Sequence, residues 1–343
     1  VRLDLDIVGF NVALEIEAHR FDSLAEMLPA AVRRPGSAQT AAPELSARLT
    51  ETALAPPADA RLRLGRRLLA GDGVAWSDGL ADMPGLGMLL RRTGNRLDLQ
   101  AAYKPNRLVE IARARYRHLP LASLHQNLLY FLLFFPAMAL AEERGWVPVH
   151  AAAVRRGRRS IVVAGLGGSG KTTLALALLD DDDAALLSDN VVLVGGGGVR
   201  GLPELIRRDA RSQSLLPEAV ERKLRASPHR AEHGRRFVDA PGLGGVTAGP
   251  DVVLHVSLGE RTEVRADSAA ECVARQLSMD RLALEMNAYQ QFRSVLALTG
   301  LVAPGFAEER LQASFARAAC YRVTIAAGRP LREAVATVLD AIG

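Results

Sequence analysis

The stretch Gly165-Leu166-Gly167-Gly168-Ser169-Gly170-Lys171-Thr172 follows a β-branched apolar run, Ile161-Val162-Val163-Ala164, and leads into a helix-forming run from Thr173 to Leu179. A glycine-rich Gly-x-x-Gly-x-Gly-Lys-Thr loop between a strand and a helix is the pattern of a phosphate-binding loop. Glycines let the backbone reach positive φ, so that successive N–H groups converge on phosphate oxygens, and the helix start behind them adds partial positive charge. On this reading Gly165, Gly167, Gly168, Ser169, Gly170, Lys171, Thr172 and Thr173 line a nucleotide's phosphates, with Lys171 bridging the β- and γ-phosphates and Thr172 placing its hydroxyl on Mg²⁺. Lysine occurs in the chain only at Lys104, Lys171 and Lys223, among 43 basic residues. A lysine retained in so arginine-rich a sequence points to a need for a compact ammonium.

With 343 residues, 49% of them hydrophobic, the chain can bury a large core and divide into two domains. The net charge of +5 comes from arginines interspersed with acidic residues, and only 5% of residues are aromatic, so the composition argues against a nucleic-acid face. Cys272 and Cys320 lie far apart in the sequence and have no metal-ligand spacing, which supports neither a zinc site nor a disulfide framework. The N-terminus alternates apolar and charged residues from Val1 to Val8 like a strand and lacks the plan of a signal peptide. The expected setting is cytoplasmic. The apolar run Leu128 to Leu140 falls short of the ~20 residues a bilayer requires and is expected to be a buried helix, kinked or divided at Pro136, with no membrane partner.

Residues 1–115 are expected to form a smaller α+β module, with strands in Arg2 to Glu17, Leu62-Arg63-Leu64 and Leu97-Asp98-Leu99, and with loops at Pro35-Gly36-Ser37 and Ala55-Pro56-Pro57. An apolar connecting helix follows over 116–145. From 146 to 343 an α/β domain is expected, with strands at Val147 to Val154, Ser160 to Ala164, Ala184 to Val194 (a strand pair or one strand broken at its polar centre), Val252 to Leu258 and Tyr321 to Ile325. Helices are expected over about 267–300 and 331–342. The charged, breaker-rich stretch 208–236 reads as a mobile segment, and Asp180 to Asp183 as a solvated loop.

A phosphate loop alone identifies only nucleotide binding, so the chemistry must come from what faces it. Asp189, after an apolar run downstream of the loop, is placed to hold Mg²⁺ or to take a proton from an attacking hydroxyl. His150, at the end of an extended segment upstream, can orient that aspartate and tune it. Arg207, Arg208, Arg235 and Arg236 are candidates to balance charge on a transferring phosphoryl group.

The order His150-Ala151-Ala152-Ala153-Val154, then the loop with Leu174-Ala175-Leu176-Ala177-Leu178-Leu179, then Leu187-Ser188-Asp189-Asn190-Val191-Val192, resembles the HPr serine kinase/phosphorylase family. It is most similar to HPr-kinase-related proteins with an added N-terminal domain, often linked to modified-peptide biosynthesis. The resemblance implies a P-loop kinase core similar to phosphoenolpyruvate carboxykinase, with a strongly bent sheet. It also implies ATP and Mg²⁺ as cofactors and transfer of the γ-phosphoryl group to a serine hydroxyl of a peptide or small protein. Catalytic roles fall to Lys171, to Asp189 as general base and to His150 as its partner. Asn190 stands where the family has a second aspartate, which leaves Thr172, Asp189 and Asn190 as the metal set. The family segment tied to its phosphorylase activity has only a degenerate echo in Asp239-Ala240-Pro241-Gly242-Leu243-Gly244, so a kinase without phosphorylase activity is implied.

Two other readings stay open. Asn190 favours a nucleotide-binding scaffold that has lost catalysis, and Asp239-Ala240-Pro241-Gly242 has the Asp-x-x-Gly form of a GTPase or ATPase switch. Oligomeric state and acceptor identity are left open by the sequence.

Overall fold

The computed structural model of the chain describes residues 1–17, 19–33, 42–80, 83–104, 121–230, 235–302 and 307–343. It is a mixed α/β fold in two compact units, one made of Val1–Glu143, Arg230–His233 and Ala288–Gly305, the other of Arg144–His229, Gly234–Asn287 and Phe306–Gly343. The loop expected at Pro35-Gly36-Ser37 and the part of the apolar connector before residue 121 lie outside the described residues.

The first unit is built on an eight-stranded sheet, β1 (Arg2–Ile7), β2 (Phe10–Ile16), β3 (Leu45–Thr50), β4 (Leu62–Arg63), β5 (Leu68–Gly71), β6 (Val74–Leu80), β7 (Met83–Thr93) and β8 (Arg96–Tyr103), in the order β1-β2-β3-β8-β7-β6-β5-β4. Period-two alternation is what specifies it. In β2, Phe10, Val12, Leu14 and Ile16 are buried while the residues between them are partly exposed. Val8 and Gly9, at φ +48° and +85°, make the two-residue turn between β1 and β2, a geometry whose twist matches that of the strands.

Against this sheet lies the apolar helix, which differs from expectation in two ways. Its apolar part is longer than Leu128 to Leu140: Leu124–Glu143 is a continuous 20-residue stretch of mean hydropathy 1.4, long and apolar enough to cross a membrane by length and composition, yet 89% of its most apolar portion is buried in the fold. The disturbance also falls before Pro136. Helix α1 (Leu121–Leu129) passes through a π turn (Tyr130–Phe134) into α2 (Phe135–Glu143), and Phe135 N–H bonds to Tyr130 O. Proline at 136 offers no N–H to the preceding turn, so the helix loosens there and resumes. Phe131, Phe135, Tyr289 and Phe292 stack around this segment with centroids 5.2–6.3 Å apart.

The second unit contains β9 (Trp146–Val149), β10 (Ala151–Arg156), β11 (Arg159–Ala164), α3 (Lys171–Ala177), β12 (Ala185–Ser188), β13 (Val192–Gly195), β14 (Gly198–Gly201), β15 (Ile206–Arg208), α4 (Ala210–Leu215), α5 (Glu218–Lys223), β16 (Arg225–Arg230), β17 (Arg236–Asp239), β18 (Val246–Ala248), β19 (Val252–Gly259), β20 (Glu263–Asp267), α6 (Ala269–Leu282), the start of α7 (Leu284–Leu298), α8 (Ala307–Phe315), β21 (Ala319–Ala326) and α9 (Leu331–Ile342). A six-stranded sheet runs β12-β10-β11-β19-β21-β20, with β11, β19 and β21 mutually parallel, and a four-stranded antiparallel sheet runs β18-β14-β13-β9.

The near-continuous apolar runs of the sequence are explained by burial on both faces. Along β10 and β11, Ala152, Val154, Ile161 and Val163 join a core with α3 and α9, whereas Ala151, Ala153, Val162 and Ala164 join a second core with α6, α8 and the four-stranded sheet.

Of the segment expected to be mobile over 208–236, residues 231–234 lie outside the described residues and the rest is largely regular. Asp209 caps α4 by accepting the Ser212 N–H at 2.7 Å, and Pro217 precedes α5. Arg208 pairs with Glu221, and Lys223 donates to the carbonyls of Leu179 and Asp181 at 2.8 and 2.6 Å. The charges at Arg208 and Lys223 are thus paired within the fold.

Candidate functional site

Two chain breaks occur side by side in the second unit. β9 and β10 are separated by His150 alone, and β12 and β13 by Asp189-Asn190-Val191. β10 pairs with β12 (Ala153 opposite Ser188) in one sheet, while β9 pairs with β13 (Val149 opposite Val192) in the other. Both segments therefore leave one sheet for the next at the same level, and His150 and Asp189 sit at that corner. Ser188 Oγ donates to Val191 O at 2.7 Å and closes the second break.

Leaving the ladder deprives the His150 N–H of a strand partner, and Asp280 of α6 supplies one, accepting it at Oδ1 over 2.7 Å. The same oxygen accepts from Gln276 Nε2 at 2.9 Å. Burial pushes the Asp280 carboxyl up to about 7, opposed by these two hydrogen bonds.

The phosphate-loop pattern takes the geometry its glycines allow. Gly168 and Gly170 are at φ +81° and +91°, and Gly170 precedes α3 in the left-handed region. A Cβ on Gly165 would stand 2.3 Å from Ser169 Oγ and 2.9 Å from Val256 O, so glycine is required there by close approach. Gly167 differs, since a Cβ there meets nothing within 4 Å. Ser169 Oγ is buried without a hydrogen-bond partner. Thr172 and Thr173 fall in the first turn of α3, directly after the buried Lys171.

Lys171 Nζ donates to the main-chain carbonyl of Asp189 at 3.1 Å. The Thr172 hydroxyl bonds to the Asp189 carboxylate, whose Oδ1 is buried with no hydrogen-bond partner. Burial raises the Asp189 carboxyl above its ordinary range, against the pull of Lys171, Thr172 and Arg207, and burial likewise lowers the Lys171 ammonium. The charges around Lys171 are those of Asp189, Glu285, Glu204 and Arg207.

The His150 ring sits beside this group, with its Nδ1 buried and without a partner, and is hydrogen bonded to the backbone at Asn190. Burial and the neighbouring Lys171 charge lower its pKa to about 4. The structure thus brings His150 to the same corner as Asp189, with the backbone of the following residue as its hydrogen-bond partner.

The four candidate arginines separate. Arg207 pairs with Glu285 at 3.4 Å, and its charge is felt at His150, Lys171 and Asp189. Arg208, the next residue on β15, points to Glu221. Arg236 lies across from Arg208 on β17, and Arg235, which precedes that strand, is exposed. Asp239 ends β17 near Arg225, and the turn after it braces β12: Pro241 O accepts the Leu186 N–H, and Leu187 O accepts the Gly244 N–H.

Asp280, Gln276, Glu285 and Glu204 are additions to the residues read from sequence. The available signal was the spacing Cys272, Gln276, Asp280, one residue per helical turn on one face of α6.

No group of three or more His, Cys, Asp or Glu side chains among the described residues could hold a metal on its own. The hydroxyl of Thr172 and the carboxylate beside it, that of Asp189, fit a Mg²⁺ that shares its remaining ligands with phosphate and water and leaves Asp189 Oδ1 to the acceptor. Compared with known proteins, the chain matches no family model and no curated sequence at a significant level.

Proposed function

We propose that this chain is an ATP- and Mg²⁺-dependent phosphotransferase with a P-loop kinase core, moving the γ-phosphoryl group to a hydroxyl, that of a serine in a peptide or small protein. The observation that carries the reading is the buried, unpartnered Oδ1 of Asp189, held beside Lys171 and Thr172 at the mouth of the loop. A carboxylate kept dry and short of hydrogen bonds is suited to accept a proton.

In the proposed mechanism the N–H groups of the loop receive the phosphate chain, and Lys171 exchanges the Asp189 carbonyl for phosphate oxygens. Asp189 Oδ1 takes the proton of the acceptor hydroxyl as its oxygen approaches the γ-phosphorus. Arg207, already in the electrostatic reach of Lys171 and Asp189, balances charge on the equatorial oxygens. His150 fixes the corner through its N–H on Asp280 and its ring against Asn190. Thr172, Asp189 and Asn190 would hold Mg²⁺, which supplies charge neutralisation of the phosphates. Most of the acceleration is then positioning and charge balance.

The test is a mass-spectrometric screen of candidate peptides and metabolites for added phosphate, with Asp189→Asn alongside. Phosphate transfer that disappears in the variant while ATP still binds supports the proposal. Tight ATP binding with no acceptor phosphorylated across the screen moves the chain to the scaffold reading.

A further inference from the structure

Away from the phosphate loop, the second unit buries its two cysteines together. Cys272, in the first turn of α6, is fully buried, and Cys320, near the start of β21, is 5% exposed. The topology explains their meeting. Cys320 lies opposite Val253 of β19 and Asp267 of β20, and Asp267 directly precedes Ser268, the cap of α6, whose carbonyl accepts the Cys272 N–H. Thiols that are distant in the sequence therefore share one hydrophobic cluster and lie as neighbours, Cys320 Sγ donating to the Ala318 carbonyl at 3.7 Å. Both are free thiols. A third group completes the cluster: the His255 Nδ1 lies 3.8 Å from Cys272 Sγ.

We propose that Cys272 and Cys320 form a redox-modification site, which a peroxide converts into a reversible disulfide. Cys320 is the thiol that reacts first. It is the less buried of the two, 5% exposed against 0%, so a peroxide meets its sulfur first, and the neighbouring Cys272 holds its pKa below the ordinary thiol value while Cys320 and burial raise that of Cys272. The Cys320 thiolate attacks one peroxide oxygen, the O–O bond breaks, and the departing hydroxide is protonated to water, leaving a sulfenic acid. Cys272 sulfur then attacks Cys320 sulfur, the S–O bond breaks, and the leaving hydroxyl carries away the Cys272 proton as a second water. Two thiols are oxidised by two electrons, and one peroxide is reduced to two waters.

The bond would staple the first turn of α6 to β21. Gln276 and Asp280 follow on the same face of that helix, and Asp280 holds the His150 N–H, so the staple acts on the element that braces the corner. The readout is covalent and independent of whether phosphoryl transfer is found.

The experiment treats the full-length chain with hydrogen peroxide, denatures it, counts thiols with a maleimide and maps peptides before and after dithiothreitol. Expected are joint loss of both thiols, one cross-linked peptide pair that dithiothreitol releases, and a Tm raised by about 5 to 10 °C. In Cys272→Ala, a sulfenic-acid trap should label Cys320. The proposal is overturned if both thiols still titrate after peroxide, if each is oxidised separately with no cross-link, or if the cross-link joins two chains.

Discussion

The ammonium of Lys171 is hydrogen bonded to the main-chain carbonyl of Asp189 across 3.1 Å, so the cation at the end of the glycine-rich loop is tied to the strand break that carries the buried carboxylate. The two residues are separated by a helix and a strand in the sequence, and the sheet corner brings them together. Lys171→Ala should therefore do two things: remove phosphate affinity and loosen the break between β12 and β13. We expect weaker ATP binding by calorimetry and faster amide exchange at Asn190 and Val191, with the rest of the unit still folded.

Asp189→Asn separates binding from chemistry. The amide keeps the size of the carboxylate but cannot take up the proton, and losing a general base commonly costs about 10²–10⁴-fold in rate. ATP affinity measured by calorimetry should change far less than the rate of phosphoryl transfer. An equal fall in both would assign Asp189 to binding alone.

The pH dependence of the proposed transfer follows from the same group. Burial raises the Asp189 carboxyl, and the base works only when ionised, so the rate should rise with pH along an acid limb centred above the ordinary carboxylate range. A single-turnover pH profile measures it. A limb at the value of an exposed aspartate would show that water reaches the corner.

Asp280 makes an opposite demand on the fold. Folded, it keeps its proton up to about 7, against 3.8 for an unburied aspartate, so the folded chain binds more protons between these values. Its contribution to stability is present at the acid end of that window and is lost as pH rises through it. Asn can accept the same two hydrogen bonds without a buried charge. Asp280→Asn should thus be the more stable protein at pH 8, by on the order of 2 kcal/mol, and the gap should close toward pH 4. Denaturant titrations at both pH values check this.

Buried histidines tilt stability the other way. Burial is the main cause that lowers His150 and His255 to about 4 from 6.5, so in that window the unfolded chain binds the extra protons and stability is lost as pH falls. Replacing His255 by Gln should flatten the decline of Tm between pH 6.5 and 4. An unchanged slope would place the acid sensitivity elsewhere.

Much of this architecture could be read from sequence because its signals are local. The loop glycines, the alternation in β2 and the polar break at Asp189-Asn190 each carry their structure within a few residues. The rest depends on parity and docking. Arg207 and Arg208 are neighbours of identical chemistry, and the side of β15 each occupies decides which meets Glu285 and which meets Glu221. Gln276 and Asp280 carry no role in the sequence until α6 is laid on the sheet, where Gln276 is buried with Cys272 and donates to Asp280. The cysteines likewise look unrelated until β20, β21 and the α6 cap are folded against one another.

The corner has a consequence for how the second unit comes apart. His150 terminates one pair of strands and Asp189 the neighbouring pair, each shared between two sheets, so neither sheet can open without dismantling the cradle. A molecule lodged there clasps both layers, and its residence reports on the integrity of the whole unit. Release of a bound nucleotide should coincide with global melting.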